Sequence, residues 1–352
     1  MVSTPEAQTP SPAPDLRAFY ESTLRPYLAA QDSRVRATQR NRWLVLVLGL
    51  AIAAVIMSWA WQSGSDSEFG PMAGFGLAAV SIGYFWFAKA GLADDLRHEL
   101  MGRIAKFLGL RYEPAAAGFD LEPFALLGLA GADKVRRSDR VFGEVGGLAV
   151  DMMAVKLADE SSTGTGNQRH TRTTERFSGL LISVEDPAPP GVLFRLVPPA
   201  GATTRDMLRG FSIVAHSQSA DQPLPSAAEL QAKLAAGPEV APPTPTGDSA
   251  FDARFELHAT AADLAAALAR LDPATRAALL DIAAIFGGGP VSVGFDGGEI
   301  LLAFVTEQRF EIGPLRPPMA QIERVEHLAD QMGILAVIAE KLRGGRERVA
   351  AD

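Results

Sequence analysis

Two long apolar stretches dominate the first quarter of the chain. The stretch from Trp43 to Trp61 contains no charged residue, and as a helix it would be roughly 28 Å long, close to the ~30 Å hydrocarbon core of a bilayer. The second stretch, 70–88, is interrupted by glycines, which membrane helices tolerate because small residues let two backbones approach. The pattern predicts two transmembrane helices, 43–61 and 70–88, packed as a tight hairpin.

Two alternatives to this hairpin are open. One is a single span followed by a buried hydrophobic segment. The other is a cleaved signal peptide, which is disfavoured because the apolar run begins only at Trp43 and no Ala-x-Ala site follows it.

Charged residues beside the two apolar stretches predict the orientation. Basic residues precede the first stretch and follow the second, whereas the connection 62–69 has acidic residues and no basic one. Cytoplasmic loops carry an excess of Lys and Arg, and tryptophans prefer the membrane interface. We therefore expect both termini to face the cytoplasm at a bacterial inner membrane. The residues that carry this interpretation are Arg34, Arg36, Arg40, Arg42, Trp43, Trp59, Trp61, Trp86 and Lys89.

The segments around the apolar stretches have patterns of their own. Residues 1–14 are rich in Pro, Ser and Thr, which predicts a disordered tail. Apolar residues at spacings of three and four predict a juxtamembrane helix over 15–42, with a kink or break at Pro26. The same spacing predicts a stalk helix over 92–111 that extends the hairpin into the cytoplasm.

Strand patterns prevail in the segment 112–316. The clearest is a hairpin, 291–295 and 299–304, joined by Asp296-Gly297-Gly298, because Asp-Gly suits a type I′ turn. A polar loop is predicted at 161–174 and a flexible, proline-rich insertion at 217–248. Further strands are predicted as a pair within 141–157 around Gly146 and Gly147, and at 177–184, 192–197, 211–215 and 251–257.

Helical patterns complete this part of the chain. Residues 261–286 are predicted to be helical, with a break at Pro273 and Asp272 as the cap of the second half. The C-terminal segment, 317–352, contains an amphipathic helix over 319–342, whose apolar stripe is expected to dock onto the sheet, with a coiled-coil or partner contact as the alternative. The predicted fold class is α+β: a two-helix transmembrane hairpin followed by a mainly antiparallel cytoplasmic domain.

Composition narrows the function classes. The chain has 33 Lys and Arg against 41 Asp and Glu, a formal net charge of −8, and no cysteine. A disulfide scaffold, a thiolate metal site and a cysteine nucleophile are therefore excluded. The negative charge disfavours nucleic-acid binding. The hydrophobic fraction of 47% is too low for a polytopic transporter and too high for a disordered chain.

No local motif predicts chemistry. Walker A, HExxH, GxSxG and EF-hand patterns are absent from the sequence, and no two histidines have metal-ligand spacing. Three weak patterns are better explained as ordinary turns, loops and strand ends: the glycine run 287–290, the basic cluster Arg169, His170, Arg172 and Arg176, and the charged set Glu307, Arg309 and Glu311. The sequence thus predicts no catalytic, cofactor-binding or metal-binding residue, and no cofactor.

A distributed set of segments resembles one known family. The segments, in chain order, are 15–28, 107–114, 139–157, 175–185, 251–268, 295–304 and 309–313. Their order is similar to that in the uncharacterised bacterial membrane proteins that carry domain of unknown function 3137, and the resemblance covers most of residues 15–343. Two departures are the expanded stretch 217–248 and Lys156, where the family has Glu. The resemblance implies the same architecture, but no activity and no functional residues.

These observations favour a non-enzymatic function. We expect a membrane protein that presents a cytoplasmic binding or regulatory domain, with the lipid bilayer as one partner and a protein partner or self-association as further candidates. A membrane-anchored hydrolase or ligand-binding enzyme with a site formed by distant residues is the alternative. A structural role, with hairpins that oligomerise through small residues such as Gly49, Gly74 and Gly83, is a third.

Overall fold

A computed structural model describes residues 15–62, 69–129, 131–163, 170–186, 192–199, 243–286, 289–296, 298–306, 310 and 317–349. The chain divides into two compact units. The helical unit comprises Met1–Leu108 and Phe310–Gln331, and the sheet unit comprises Gly109–Arg309 and Met332–Asp352. The fold is α+β, with an antiparallel sheet and two long apolar helices near the N-terminus.

The helical unit begins with an almost unbroken helix. Helix α1 (Leu16–Phe19) leads through a π turn (Tyr20–Leu24) into α2 (Arg25–Gln62). The predicted break at Pro26 is wrong, because the π turn directly before it shifts the backbone hydrogen bonds and the helix continues. Helix α3 (Phe69–Phe107) is likewise continuous, so the second apolar stretch and the predicted stalk form one helix. This helix ends at Phe107 and not at the predicted residue 111. Just beyond its end, Gly109 takes the left-handed conformation with φ 75°.

Helices α2 and α3 lie antiparallel along their whole length. The rings of Phe19 and Phe107 stack at 4.3 Å, and near the other end Gly74 faces the side chain of Met57. Between these points a Cβ on Gly49 would lie 1.9 Å from Ser81 Oγ, so only glycine permits this approach. Ser81 is buried, and its hydroxyl donates to Leu77 O at 2.8 Å. Gly49 and Gly74 therefore serve packing within the chain, whereas a Cβ on Gly83 would meet no atom within 4 Å among the described residues.

The outer surface of this helix pair is apolar. Two helices are long and apolar enough to cross a membrane, and only 17% and 13% of their most apolar windows are buried. A core helix of a soluble protein would bury most of such a window. Apolar side chains that remain exposed include Leu44, Val47, Leu48, Val55, Phe75 and Val80.

The rest of the helical unit comes from the C-terminal part of the chain. Met319, Val325 and Leu328 are buried, and the Met319 amide donates to Asp32 Oδ1 at 2.8 Å. Val325 and Leu328 belong to the last helix, which begins later and ends later than predicted, at Ile322–Val349.

The sheet unit contains an eight-stranded sheet with the strand order β1-β2-β3-β4-β8-β7-β5-β6, and every pairing in it is antiparallel. The strands are β1 (Arg111–Glu113), β2 (Lys134–Val145), β3 (Leu148–Thr163), β4 (His170–Glu185), β5 (Leu193–Val197), β6 (Glu256–Ala259), β7 (Val291–Asp296) and β8 (Glu299–Val305). The helices are α4 (Ser249–Asp252), α5 (Leu264–Arg270), α6 (Pro273–Ile285) and, from Met332 onward, the last helix α7 (Ile322–Val349), with a 3₁₀ helix at Pro123–Leu127.

The strand pair around Gly146 and Gly147 and the strands 177–184 and 192–197 are confirmed as parts of β2, β3, β4 and β5. Two other local predictions are confirmed and two are wrong. The β7–β8 hairpin forms, and Asp272 caps α6 by accepting from the Thr275 amide at 2.6 Å. The predicted polar loop 161–174 is largely strand, because β3 runs to Thr163 and β4 starts at His170. The predicted strand 251–257 starts instead as helix α4. The predicted strand 211–215 and most of the insertion lie outside the described residues.

The core lies on both faces of the sheet. On one face, Phe124 and Leu127 of the 3₁₀ helix pack with strand residues such as Met153, Leu181 and Leu301. On the other face, Phe304 stacks on Phe286 just after α6, with ring centroids 3.7 Å apart. On the face of the sheet that carries the 3₁₀ helix, the area near the start of β8 is left uncovered. The candidate site lies in this area.

Candidate functional site

An open groove of about 480 Å³ lies on the 3₁₀-helix face of the sheet. Its volume is within the usual range for small-molecule sites. Phe119 and Phe124 line it from the 3₁₀-helix side but are almost fully buried, so its partly exposed apolar surface includes Pro123 and, on β2, Phe142. Its polar lining consists of Asp120, Asp151, Ser183, Glu185 and Glu299.

Strand register brings these polar residues together. Asp151 on β3 lies opposite Ser183 on β4, and Glu185 lies opposite Glu299 on β8. Residues that are directly opposite share a face, and so do residues two apart along a strand. Three strands therefore present three carboxylates and one hydroxyl to the same side of the sheet.

A β-bulge aims Arg140 at this face. The β2–β3 register shifts between Ser138 and Arg140, and Asp139 between them has φ 54°. Without the bulge Arg140 would lie opposite Met152 and point to the other face, but it lies opposite Met153 instead. The bulge is held by Asp139, which is buried and accepts from the Tyr112 hydroxyl at 2.6 Å.

Arg140 neutralises one of the groove carboxylates. Its Nε donates to both oxygens of Asp151 at 3.0 and 3.1 Å, and its Nη2 donates to Oδ2 at 2.6 Å. Its Nη1 donates to Glu113 at 3.1 Å, and its guanidinium lies over the Phe142 ring. Burial raises the pKa of Asp151, although the hydrogen bonds from Arg140 oppose that shift.

The other three groove carboxylates have only neutral donors. Glu185 accepts from the Ala149 amide at 3.2 Å, Glu299 accepts from Ser183 Oγ at 2.9 Å, and Asp120 accepts from the Glu122 amide at 2.9 Å. Within the described part of the chain, no cationic side chain forms an ion pair with any of the three. The groove thus combines apolar walls with an excess of negative charge, which suits a ligand with a positive group on an apolar frame.

The groove lining contains no histidine. His258 lies on β6, where burial lowers its pKa, and its Nε2 is 3.7 Å from Glu256. Among the described residues, no group of three or more His, Asp or Glu side chains is placed to hold a metal ion. Ser183 is the hydroxyl in the groove, and its hydrogen-bond partner is a carboxylate.

The weak patterns of the sequence do not converge into a site. Arg176, from the predicted basic cluster, is 5% exposed and has a structural role, because it donates to Gly128 O at 2.8 Å and faces Asp159 at 3.6 Å. Arg172 is exposed. The rest of that cluster, most of the glycine run and the charged set 307–311 fall largely outside what the structure describes.

The residues predicted to mark the membrane interface lie along α2 and α3. Arg34 pairs with Asp95 at 3.5 Å, Arg36 pairs with Asp32 at 3.7 Å, and Arg42 lies over the Phe85 ring at 4.3 Å. The remaining residues with described side chains are exposed, namely Arg40, Trp43, Trp59, Trp61 and Trp86. The side chain of Lys89 is outside the described set.

No protein-family model, curated protein or solved structure matches this chain.

The groove was missed by sequence reasoning. The available signal was Asp151, a single charge inside the otherwise apolar run 148–155. A charge at such a position needs a partner or a function.

Proposed function

We propose that this protein is a membrane-anchored binding protein, in which α2 and α3 cross the bacterial inner membrane and the sheet unit presents its groove to a ligand in the cytoplasm. The groove is the observation on which this proposal mainly rests. It is a preformed cavity of ligand size in a unit that is continuous in sequence with two apolar helices.

The membrane part of the proposal is supported by side-chain exposure. Large apolar residues such as Leu48 and Val80 are 62% and 71% exposed, although they lie in the most apolar helices of the chain. A contiguous apolar surface of this kind requires a lipid or protein environment. Basic residues at the ends distant from the connection favour cytoplasmic termini.

Cysteine labelling tests this topology directly, because the chain has no native cysteine. Ser65→Cys lies between the two helices in sequence, and Thr173→Cys lies at an exposed position of β4. In intact cells, a maleimide that reaches the periplasm but not the cytoplasm is expected to label position 65 and not position 173. Labelling at 173 would contradict the cytoplasmic placement of the sheet unit.

The groove chemistry favours an organic cation as ligand. Three carboxylates without a cationic partner attract positive charge, and the partly exposed Pro123 and Phe142 provide an apolar contact surface. Spermidine is a suitable probe, because it combines ammonium groups with an apolar chain.

Calorimetric titration of the full-length protein in phosphatidylcholine nanodiscs tests this assignment. We expect spermidine to bind, and Glu299→Gln to weaken binding at least about tenfold, since a hydrogen-bonded charge contributes about 1.5–3 kcal/mol. Glu340→Gln is the matched control, because Glu340 is exposed on α7 and does not line the groove. Equal affinity in both variants, or no binding to the unaltered protein, would refute the assignment.

A membrane-anchored hydrolase is the second candidate. The observation in its favour is that Ser183 Oγ donates to Glu299 in the same groove where burial raises the pKa of Asp151. A hydroxyl that donates to one carboxylate, with a second carboxyl of raised pKa in the same groove, is an arrangement that acid–base chemistry can use. Covalent labelling of Ser183 by a fluorophosphonate, lost in Ser183→Ala, would favour this candidate over simple binding.

A further inference from the structure

A row of two cationic and two hydroxyl side chains crosses four neighbouring strands on the face opposite the groove. Arg136 on β2 lies opposite Lys156 on β3, and Lys156 lies opposite Ser178 on β4. Thr306 follows β8, and its amide donates to Ser178 O at 3.2 Å, which continues the row. Neighbouring strands are about 4.8 Å apart, so the four side chains form one continuous line.

This row faces away from the groove because strand residues alternate between faces. Lys156 is an odd number of positions from Asp151 along β3, and Ser178 is an odd number of positions from Ser183 along β4, with no register shift between these positions. The row therefore belongs to a different surface, and its function is independent of the ligand proposed for the groove.

The two cations in the row are not fully compensated. Like charges directly opposite each other across two strands destabilise the pairing. Lys156 forms an ion pair with Glu175, but both side chains are well exposed, so this pair is weak. The Arg136 side chain has no hydrogen bond or ion pair with any residue that the structure describes. The arrangement costs stability unless an anion joins the two cations.

A cavity of about 30 Å³ lies in this row, lined by Arg136, Lys156, Ser138, Ser178 and Thr306. This exceeds the roughly 10–15 Å³ that one water molecule needs, and the cavity is small, so it suits a compact group better than a sugar or a base. A guanidinium fork, an ammonium point charge and hydroxyl donors are the groups that recognise phosphate oxygens.

We propose that this row binds a terminal phosphate group. The group is either inorganic phosphate or the phosphomonoester headgroup of a lipid such as phosphatidic acid. Arg136 and Lys156 hold the charge, and the hydroxyls of Ser138, Ser178 and Thr306 donate to its oxygens. Glu175 competes with the phosphate for Lys156.

Calorimetric titration of inorganic phosphate into the full-length protein in phosphatidylcholine nanodiscs tests the site. We expect Arg136→Gln to weaken binding at least about tenfold, because a charged donor is lost. Glu175→Gln is expected to strengthen binding, because it removes the competing anion. Arg111→Gln is the matched control, since Arg111 is an exposed strand arginine outside the row.

Nanodiscs that contain phosphatidic acid distinguish the lipid headgroup from free phosphate as the ligand. Phosphatidylglycerol nanodiscs of equal charge are the reference. A lower apparent affinity for inorganic phosphate in the phosphatidic acid discs, absent in Arg136→Gln, would identify the lipid headgroup. Equal affinity in both discs would identify free phosphate. Failure of the unaltered protein to bind phosphate, or binding that is unchanged in both Arg136→Gln and Glu175→Gln, would overturn the proposal.

Discussion

Replacing Arg140 by Met isolates the charge network at the groove. The Arg140 side chain is 15% exposed and its main partner Asp151 is 25% exposed. Loss of one partner of a buried ion pair costs about 3–5 kcal/mol, and exposed pairs contribute about 0–1 kcal/mol. Glu113 is 34% exposed and adds little. For this partly exposed pair we therefore expect Arg140→Met to lower the free energy of unfolding by about 2–3 kcal/mol at neutral pH.

The loss is expected to depend on pH with a definite sign. Burial raises the pKa of folded Asp151 above its ordinary value of 3.8, so this group favours folding most below 3.8 and progressively less as the pH rises through the raised pKa. Arg140→Met removes the attraction that opposes burial, and it therefore raises the pKa of Asp151 further. The difference between variant and unaltered protein should be largest above that pKa and should shrink as the carboxyl becomes protonated.

Hydrogen exchange followed by mass spectrometry measures this effect in the full-length protein in neutral nanodiscs. Comparing β2 and β3 peptides of both proteins at the same pH cancels the intrinsic exchange rates. Arg140→Met combined with Asp151→Asn should recover more than half of the loss, and Arg111→Met should change stability by less than about 0.5 kcal/mol. A loss that is equal at all pH values, or a double variant no more stable than Arg140→Met, would refute the reasoning.

Three further predictions concern packing and capping, and peptide-level hydrogen exchange measures each of them. Gly179→Ala should cost about 1–3 kcal/mol or more, because the new Cβ would lie 1.9 Å from the carbonyl oxygen of Phe304. At Gly333 a new Cβ has open space, so Gly333→Ala should stabilise α7 by about 0.5–1 kcal/mol. Similar effects at both sites would contradict this reasoning. Asp272→Ala should cost about 1 kcal/mol through the lost cap of α6, and unchanged exchange in its first turn would count against that role. Arg176→Met should cost about 1–3 kcal/mol because a partly buried carbonyl loses its donor; a neutral outcome would mean that water replaces it.

Local signals in the sequence were sufficient where the structure is determined locally. The β7–β8 hairpin depends on an Asp-Gly turn between two alternating stretches, and the α6 cap depends on Asp272 directly before Pro273. The extension of β3 and β4 was missed because its residues are polar and partly exposed. Backbone pairing between adjacent strands does not require apolar side chains, and the threonines near the start of β4 have high strand propensity.

The groove could not be predicted because its residues meet only through distant strand pairing. Ser183 and Glu299, which share a hydrogen bond, are 116 positions apart. The direction of Arg140 depends on a single extra residue in β2, and a pattern of hydrophobic and polar positions does not show where a bulge will form. The sequence therefore contains each groove residue but no spacing that joins them.

Net charge also fails to describe this sheet, because the groove carboxylates that lack a cationic partner and the cations of the row lie on opposite faces. The formal charge of −8 suggests one acidic surface, yet strand alternation places Glu185 and Glu299 on one face and Arg136 and Lys156 on the other. An eight-stranded sheet between them keeps the two sets from neutralising each other by direct contact. The two ligands should then bind independently: Glu299→Gln should leave the affinity for inorganic phosphate unchanged, and Arg136→Gln should leave the affinity for spermidine unchanged. Coupling between the two titrations would mean that the sheet transmits a conformational change, because residues on opposite faces share no side-chain contact.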